Sequence, residues 1–172
     1  IDDLPDGDIL IKVSYSSLNY KDALSASGSP GVTKNYPHTP GIDAVGHVQE
    51  SSDSAFKEGD VVIVTGYDLG MNTAGGFGQY IRVPAHWVIK LPNGLNEVEA
   101  MSLGTAGLTA GLSIQALEKY SSTTGFEGSK SIVTGSTGGV GSIAVMLLSK
   151  LGSEVTAVTG KNTQKSFLED LG

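Results

Sequence analysis

Residues 131–141 read Ser-Ile-Val-Thr-Gly-Ser-Thr-Gly-Gly-Val-Gly, and an apolar run follows them. Ile132 and Val133 end a short buried strand, and Gly135, Ser136, Thr137, Gly138 and Gly139 cannot easily continue it. From Val140 the pattern turns helical, with Val140, Ile143, Ala144, Leu147, Leu148 and Leu151 expected on one face. Strand, glycine turn and helix together set a phosphate against a helix N-terminus. There the first N–H groups lack intrahelical partners and the helix dipole favours negative charge. Glycines at Gly138, Gly139 and Gly141 let backbone approach a pyrophosphate and let the helix pack close to its strand. A strict G-x-G-x-x-G would need glycine at 136, where this chain has Ser136. An ordinary tight strand–helix turn gives the same string, so the flanking elements carry the reading.

A second strand follows at residues 154–158, and then Thr159, Gly160 and Lys161. In dinucleotide folds an acid about 20 residues past the glycine turn takes the ribose 2′-hydroxyl. Here Thr159 stands 21 residues past Gly138, and no acid ends the strand. A hydroxyl, a glycine backbone and a cation suit a 2′-phosphate, which a carboxylate would repel. The expected cofactor is NADP(H) rather than NAD(H), with Ser136, Gly138, Gly139, Val140, Gly141, Thr159, Gly160 and Lys161 as its contacts.

The elements before the turn differ in kind. Residues 8–15 alternate, with Ile9, Ile11, Val13 and Tyr15 on one face of a half-buried strand. A helical turn follows over 16–25, then a Gly/Pro loop over 28–40. Strands are expected over 41–50, 61–64, 79–83 and 87–91, with a long glycine-rich loop over 66–78. Short strands between Gly/Pro turns argue for an antiparallel, barrel-like unit. After Pro92 the pattern becomes helical. Asn96 is an N-cap for a helix to Leu103, and a longer helix over 105–120 carries Leu108, Leu112 and Leu117. The expected domains are residues 1–95 and 96–172.

Composition narrows the classes. Eighteen acids against eleven bases give a net charge of −7, which disfavours non-specific binding to nucleic acid or anionic membranes. There is no cysteine, so neither disulfides nor thiolate metal sites can form within these residues. No apolar run reaches membrane-spanning length, and cytoplasm is the default expectation. The order of elements reads as part of a longer chain, because so few strand–helix units cannot bury both faces of a parallel sheet.

Five motifs stand in a fixed order: Ser17-Leu18-Asn19-Tyr20-Lys21-Asp22, Pro40-Gly41-Ile42-Asp43, Gly104-Thr105-Ala106-Gly107, the glycine turn ending at Gly141, and Thr159-Gly160-Lys161. In this order the chain resembles the medium-chain dehydrogenase/reductase superfamily. Within it, the likeness is to the zinc-free quinone-oxidoreductase branch and its YhdH/YhfP-type, acrylyl-CoA-reductase-like group. The resemblance implies a GroES-like β-barrel domain followed by the first half of a Rossmann doubly wound parallel sheet. It also implies that Tyr20 and Thr105 lie by the nicotinamide, and that full-length relatives are often homodimers.

Zinc-dependent relatives use an early cysteine and a G-H-E stretch. Ser17 lies in the early region here and Gly41-Ile42-Asp43 replaces G-H-E. His38, His47 and His86 match no local ligand spacing, so no metal site is expected. The chemistry left open is hydride transfer from NADPH to an activated C=C bond: an enone, an enoyl thioester such as acrylyl-CoA, or a quinone. Charge would collect on the carbonyl oxygen and need hydrogen-bond donors. Tyr20 and Asn19 are the catalytic candidates. Asp43 is expected to make a structural hydrogen bond, and Lys21 and Asp22 read as a surface ion pair. Where the related group often carries a His-Trp pair, this chain has Asn72-Thr73-Ala74, so acyl-CoA specificity does not carry over with the motifs. The alternative is a nucleotide-binding or structural relative without turnover. Residues 1–172 alone are expected to be poorly active.

Overall fold

The computed structural model describes residues 4–120 and 125–172. The chain divides into two compact units, Ile1–Thr105 and Ala106–Gly172.

The first unit is built on five strands: β1 (Ile9–Tyr15), β2 (Asp43–Ser51), β3 (Val61–Thr65), β4 (Tyr80–Val83) and β5 (Val88–Lys90). They pair antiparallel in the order β4-β1-β2-β3-β5. Alternation in β1 puts Ile9 and Ile11 inside and Lys12 out, while Tyr15 is exposed. The register of β1 on β2 shifts twice, between Leu10 and Ile11 and between Val13 and Tyr15. Such bulges bend and twist the strand. The sheet encloses one core of Ile9, Ile11, Val48, Val62, Ile81 and Val83, among others. Each such side chain contributes about 1.5–3 kcal/mol on burial.

Helix α1 (Tyr20–Ala26) follows β1 directly, and α2 (Glu97–Tyr120) follows β5. Asn96 caps α2 as expected: its Oδ1 accepts from Glu99 N at 2.9 Å and Glu99 Oε2 accepts from Asn96 N at 2.8 Å. This reciprocal pair is a capping box. The first turns of α2 belong to the first unit because Ala100 and Met101 pack against Val45 and Ile63. That packing carries the unit beyond the boundary expected near residue 95. At Gly104 the helix breaks, with φ +49° and ψ −152°. Only glycine adopts such a backbone without strain.

The second unit holds the rest of α2, then β6 (Lys130–Thr134), α3 (Gly139–Lys150), β7 (Glu154–Val158) and α4 (Lys165–Asp170). Strands β6 and β7 are parallel and in register from Lys130–Glu154 to Thr134–Val158. Val145 and Leu148 of α3 pack with Val133 and Ile114. The expected α3 face holds in part: Leu148 is buried and Ala144 and Leu147 pack against the same core, whereas Val140 and Leu151 are exposed and Gly141 and Val145 complete the buried line. A side chain at Gly141 would collide with the Gly135 carbonyl, so the close approach falls on a glycine that an apolar count ignores. In α2, Leu108, Leu112 and Leu117 are exposed while Ala110 and Ile114 are buried. The fold class is that expected: an antiparallel GroES-like unit followed by the opening β-α-β-α of a Rossmann sheet.

Candidate functional site

The polar centre of the first unit is Asp43, the first residue of β2, which is completely buried. Oδ2 accepts from Ser17 Oγ at 2.5 Å, Asn19 Nδ2 at 2.9 Å and Thr105 N at 2.9 Å. Oδ1 accepts from Thr105 Oγ1 at 2.6 Å. All four partners are donors, a pattern that a carboxylate satisfies and an amide cannot. Burying a carboxylate is costly unless its oxygens are hydrogen-bonded in this way.

Gly104 makes this approach geometrically feasible. A Cβ built there would stand 2.6 Å from Asp43 Oδ2 and 3.0 Å from Ser17 Oγ. The break in α2 turns Thr105 N toward the carboxylate, so Asp43 serves as a cap for the helical segment that starts at Thr105.

Asn19 Nδ2 also lies 2.9 Å from Ser17 Oγ. The three atoms Asn19 Nδ2, Ser17 Oγ and Asp43 Oδ2 form a triangle of 2.9, 2.9 and 2.5 Å. The two acceptors therefore subtend only about 50° at Nδ2, whereas the two N–H bonds of an amide diverge by about 120°. One N–H is shared between both acceptors. The second is directed elsewhere, and no acceptor among the described residues takes it. Tyr20 follows as the first residue of α1 and is 81% exposed, and Leu18 on the other flank is 88% exposed.

Asp22 is not a surface partner of Lys21. It is buried, and Oδ1 accepts from Gly41 N at 3.1 Å and Ile42 N at 2.9 Å, while Oδ2 accepts from Asn19 N at 2.8 Å. One carboxylate thus ties the start of α1 to the entry of β2, setting Asn19 and Asp43 side by side. The signal was the Asn19-x-x-Asp22 spacing of a capping box, with glycine at the facing loop.

The histidines lie apart in their bonding. His38 Nε2 meets the Gly70 carbonyl at 2.7 Å, His47 pairs with Glu97 at 3.0 Å, and His86 packs edge-on against Trp87. Asn72 and Thr73 are held by the Asp68 carboxylate at 3.1 and 3.3 Å. Tyr67 stacks on Trp87 with centroids 5.2 Å apart, beside His86 on the same ring.

In the second unit, Gly138 is the N-cap of α3 and offers no side chain to the helix end. Among the described residues, no acceptor takes the N–H groups of Gly139, Val140 or Gly141. Gly135, Gly138, Gly139 and Val140 line a cavity of about 570 Å³. Ser136 is turned inward: it is fully buried, and its N and Oγ both donate to the Val158 carbonyl, at 3.3 and 2.7 Å. Its observed contribution is to pin the turn to the end of β7. Just beyond, Thr159 Oγ1 accepts from Lys161 N at 3.1 Å, a short turn that leaves Gly160 and Lys161 exposed. Thr159, Lys161, Asn162 and Lys165 line a second cavity of about 600 Å³. The uncapped N–H groups at the start of α3 fit a pyrophosphate.

These features define the class. The chain belongs to the alcohol dehydrogenase GroES-like domain family, whose model matches residues 5–93. It is 45% identical over 170 residues to acrylyl-CoA reductase AcuI of Ruegeria pomeroyi, covering 99% of this chain and 51% of that protein. It is 46% identical over 171 residues to the putative quinone oxidoreductase YhfP of Bacillus subtilis, again 99% and 51%. A solved structure of yhfP holds NAD and superposes with a TM-score of 0.89. The yhdH oxidoreductase of Salmonella enterica, solved in complex with NADP, is 43% identical with a TM-score of 0.93, covering 98% of this chain and 52% of that one. The chain spans about half the length of the relatives it matches. No helix of the described residues is long and apolar enough to cross a membrane.

Proposed function

We propose that this protein is a zinc-independent, NADPH-dependent reductase of activated C=C bonds or quinones, acting on an enone, an enoyl thioester or a quinone. The observation that carries the reading is the engagement of Asp43 by Ser17, Asn19 and Thr105. In the zinc-dependent pattern this region would supply metal ligands. Here the carboxylate is taken up by four donors, and the cluster orients an amide and a hydroxyl instead.

NADPH, when bound, supplies a hydride to the β-carbon of the conjugated system. Gly138, Gly139, Val140 and Gly141 hold the pyrophosphate through backbone N–H groups, with Ser136 keeping the turn in place. Thr159, Gly160 and Lys161 receive the 2′-phosphate, where the lysine charge favours it over a bare hydroxyl. Tyr20 and Thr105 contact the nicotinamide. The Tyr20 hydroxyl, with Asn19 beside it, is the donor for the carbonyl oxygen on which charge develops. Tyrosine, with an ordinary pKa near ~10, serves as donor or acid rather than base.

NADPH oxidation by the full-length protein, measured with acrylyl-CoA, small enones and quinones, tests the reading. Oxidation with at least one of them supports it. Binding of NADPH without oxidation by any would favour a nucleotide-binding relative without turnover.

A further inference from the structure

Asn19 and Thr105 can each present either hydrogen-bonding sense to a ligand, and one buried group decides which. The Asn19 amide has two flips. A carboxylate only accepts, so the NH2 group turns to Asp43 and the carbonyl oxygen away from it. Ser17 holds this flip, because its hydroxyl donates to Asp43 at 2.5 Å and accepts from Asn19 at 2.9 Å. Thr105 has one hydroxyl proton, and it goes to Asp43 Oδ1 at 2.6 Å. Toward any other group the Thr105 hydroxyl is therefore an acceptor, while Asn19 keeps one outward N–H as a donor. A primary carboxamide carries the complementary set, an NH2 and a C=O.

We propose that Asp43 is a positioning residue, which fixes the proton directions of Asn19 and Thr105 for recognition of the nicotinamide carboxamide. This rests on the proposed use of a nicotinamide cofactor. Asp43 does not touch the cofactor; it acts through the two residues that do.

The substitution D43N keeps the shape and reverses the polarity. An amide there must point an N–H either at the three donors around Oδ2 or at Thr105 Oγ1. The second is the lesser conflict, and it forces the Thr105 proton outward. Losing one charge-assisted hydrogen bond and its polarity corresponds to roughly a tenfold effect or more.

The test compares NADPH with 2′-phospho-ADP-ribose, which lacks the nicotinamide ring, in titrations of the intact protein. D43N is expected to weaken NADPH about tenfold and to leave the ring-less analogue within about twofold. T105V should show the same ring-specific loss, and D43N combined with T105V should be no weaker than the worse single variant. Should D43N fail to fold, T105V is read in its place. Equal losses for both ligands, no loss for either, or additive losses in the double variant would overturn the assignment. Absence of turnover on every activated alkene and quinone, with the ring-specific difference intact, would overturn the proposed reaction and leave the role of Asp43 standing.

Discussion

Asp43 and Thr105, separated by 62 positions, are joined by two hydrogen bonds: Thr105 N to Oδ2 at 2.9 Å and Thr105 Oγ1 to Oδ1 at 2.6 Å. The second of these commits the hydroxyl proton, and the first fixes where the helix resumes after its break. The pair couples a strand start, a helix start and a candidate ligand contact in one group.

That coupling depends on Gly104. Its φ of +49° and the 2.6 Å that would separate a Cβ from Asp43 Oδ2 both oppose a side chain. Gly104→Ala is expected to cost about 1–3 kcal/mol for the backbone alone, before the displaced carboxylate is counted. Urea unfolding of the two proteins measures it. A change below about 0.5 kcal/mol would show that the region relaxes freely.

Asp22 carries three backbone N–H groups from Asn19, Gly41 and Ile42. Asp22→Ala leaves these donors buried without partners, at about 1–3 kcal/mol for each that water cannot reach. A lowered melting temperature is expected, with faster proteolysis in the loop before β2. An unchanged melting temperature would show that solvent replaces the carboxylate.

Two residues near the cofactor turn should separate by kind of effect. Lys161→Ala is expected to weaken NADPH roughly tenfold and NADH less than about threefold, because only NADPH carries the 2′-phosphate. Ser136→Ala should lower stability by about 1 kcal/mol through its bond to Val158 and shift NADPH affinity little. Equal effects of Lys161→Ala on both cofactors would remove the 2′-phosphate assignment. A large affinity loss in Ser136→Ala without loss of stability would return the serine hydroxyl to the phosphates.

The Lys90 ammonium, 2.9 Å from Asp60 Oδ2, lowers the Asp60 pKa below the ordinary carboxylate value, and the Lys57 N–H adds to this. The folded pKa lies below the unfolded one. The stabilisation is therefore present at neutral pH and is lost as pH falls below ~4 and through the folded pKa. Asp60→Asn should be less stable than wild type near neutrality, and the difference should close in acid. A difference that persists unchanged to low pH would assign it to packing rather than charge.

The parts of this fold that rest on local pattern were readable from the chain. Alternation marked β1, Asn96 marked the start of α2, and the glycine turn between β6 and α3 marked a nucleotide-ready helix end. The parts that rest on distant pairing were not. Asp43 suggested a hydrogen bond but gave no hint that Ser17, Asn19 and Thr105 converge on it. Asp22 looked like half of an exposed pair because its partners are backbone N–H groups, which carry no side-chain signal. The α3 face was legible at Ala144, Leu147 and Leu148 but not at Gly141, where the helix approaches its turn and no apolar side chain marks the contact. Ser136 fell at a cofactor position in the motif, but the end of β7 takes both its donors.

The central claim is hydride delivery to a conjugated carbon rather than to a carbonyl. It is tested most directly by turning over an enone with NADPH deuterated at the transferring position of the nicotinamide and locating the label by NMR. The account predicts deuterium at the β-carbon of a product whose carbonyl is intact. Deuterium on the carbonyl carbon of an alcohol product, or an enone recovered unlabelled with its NADPH unspent, would contradict it.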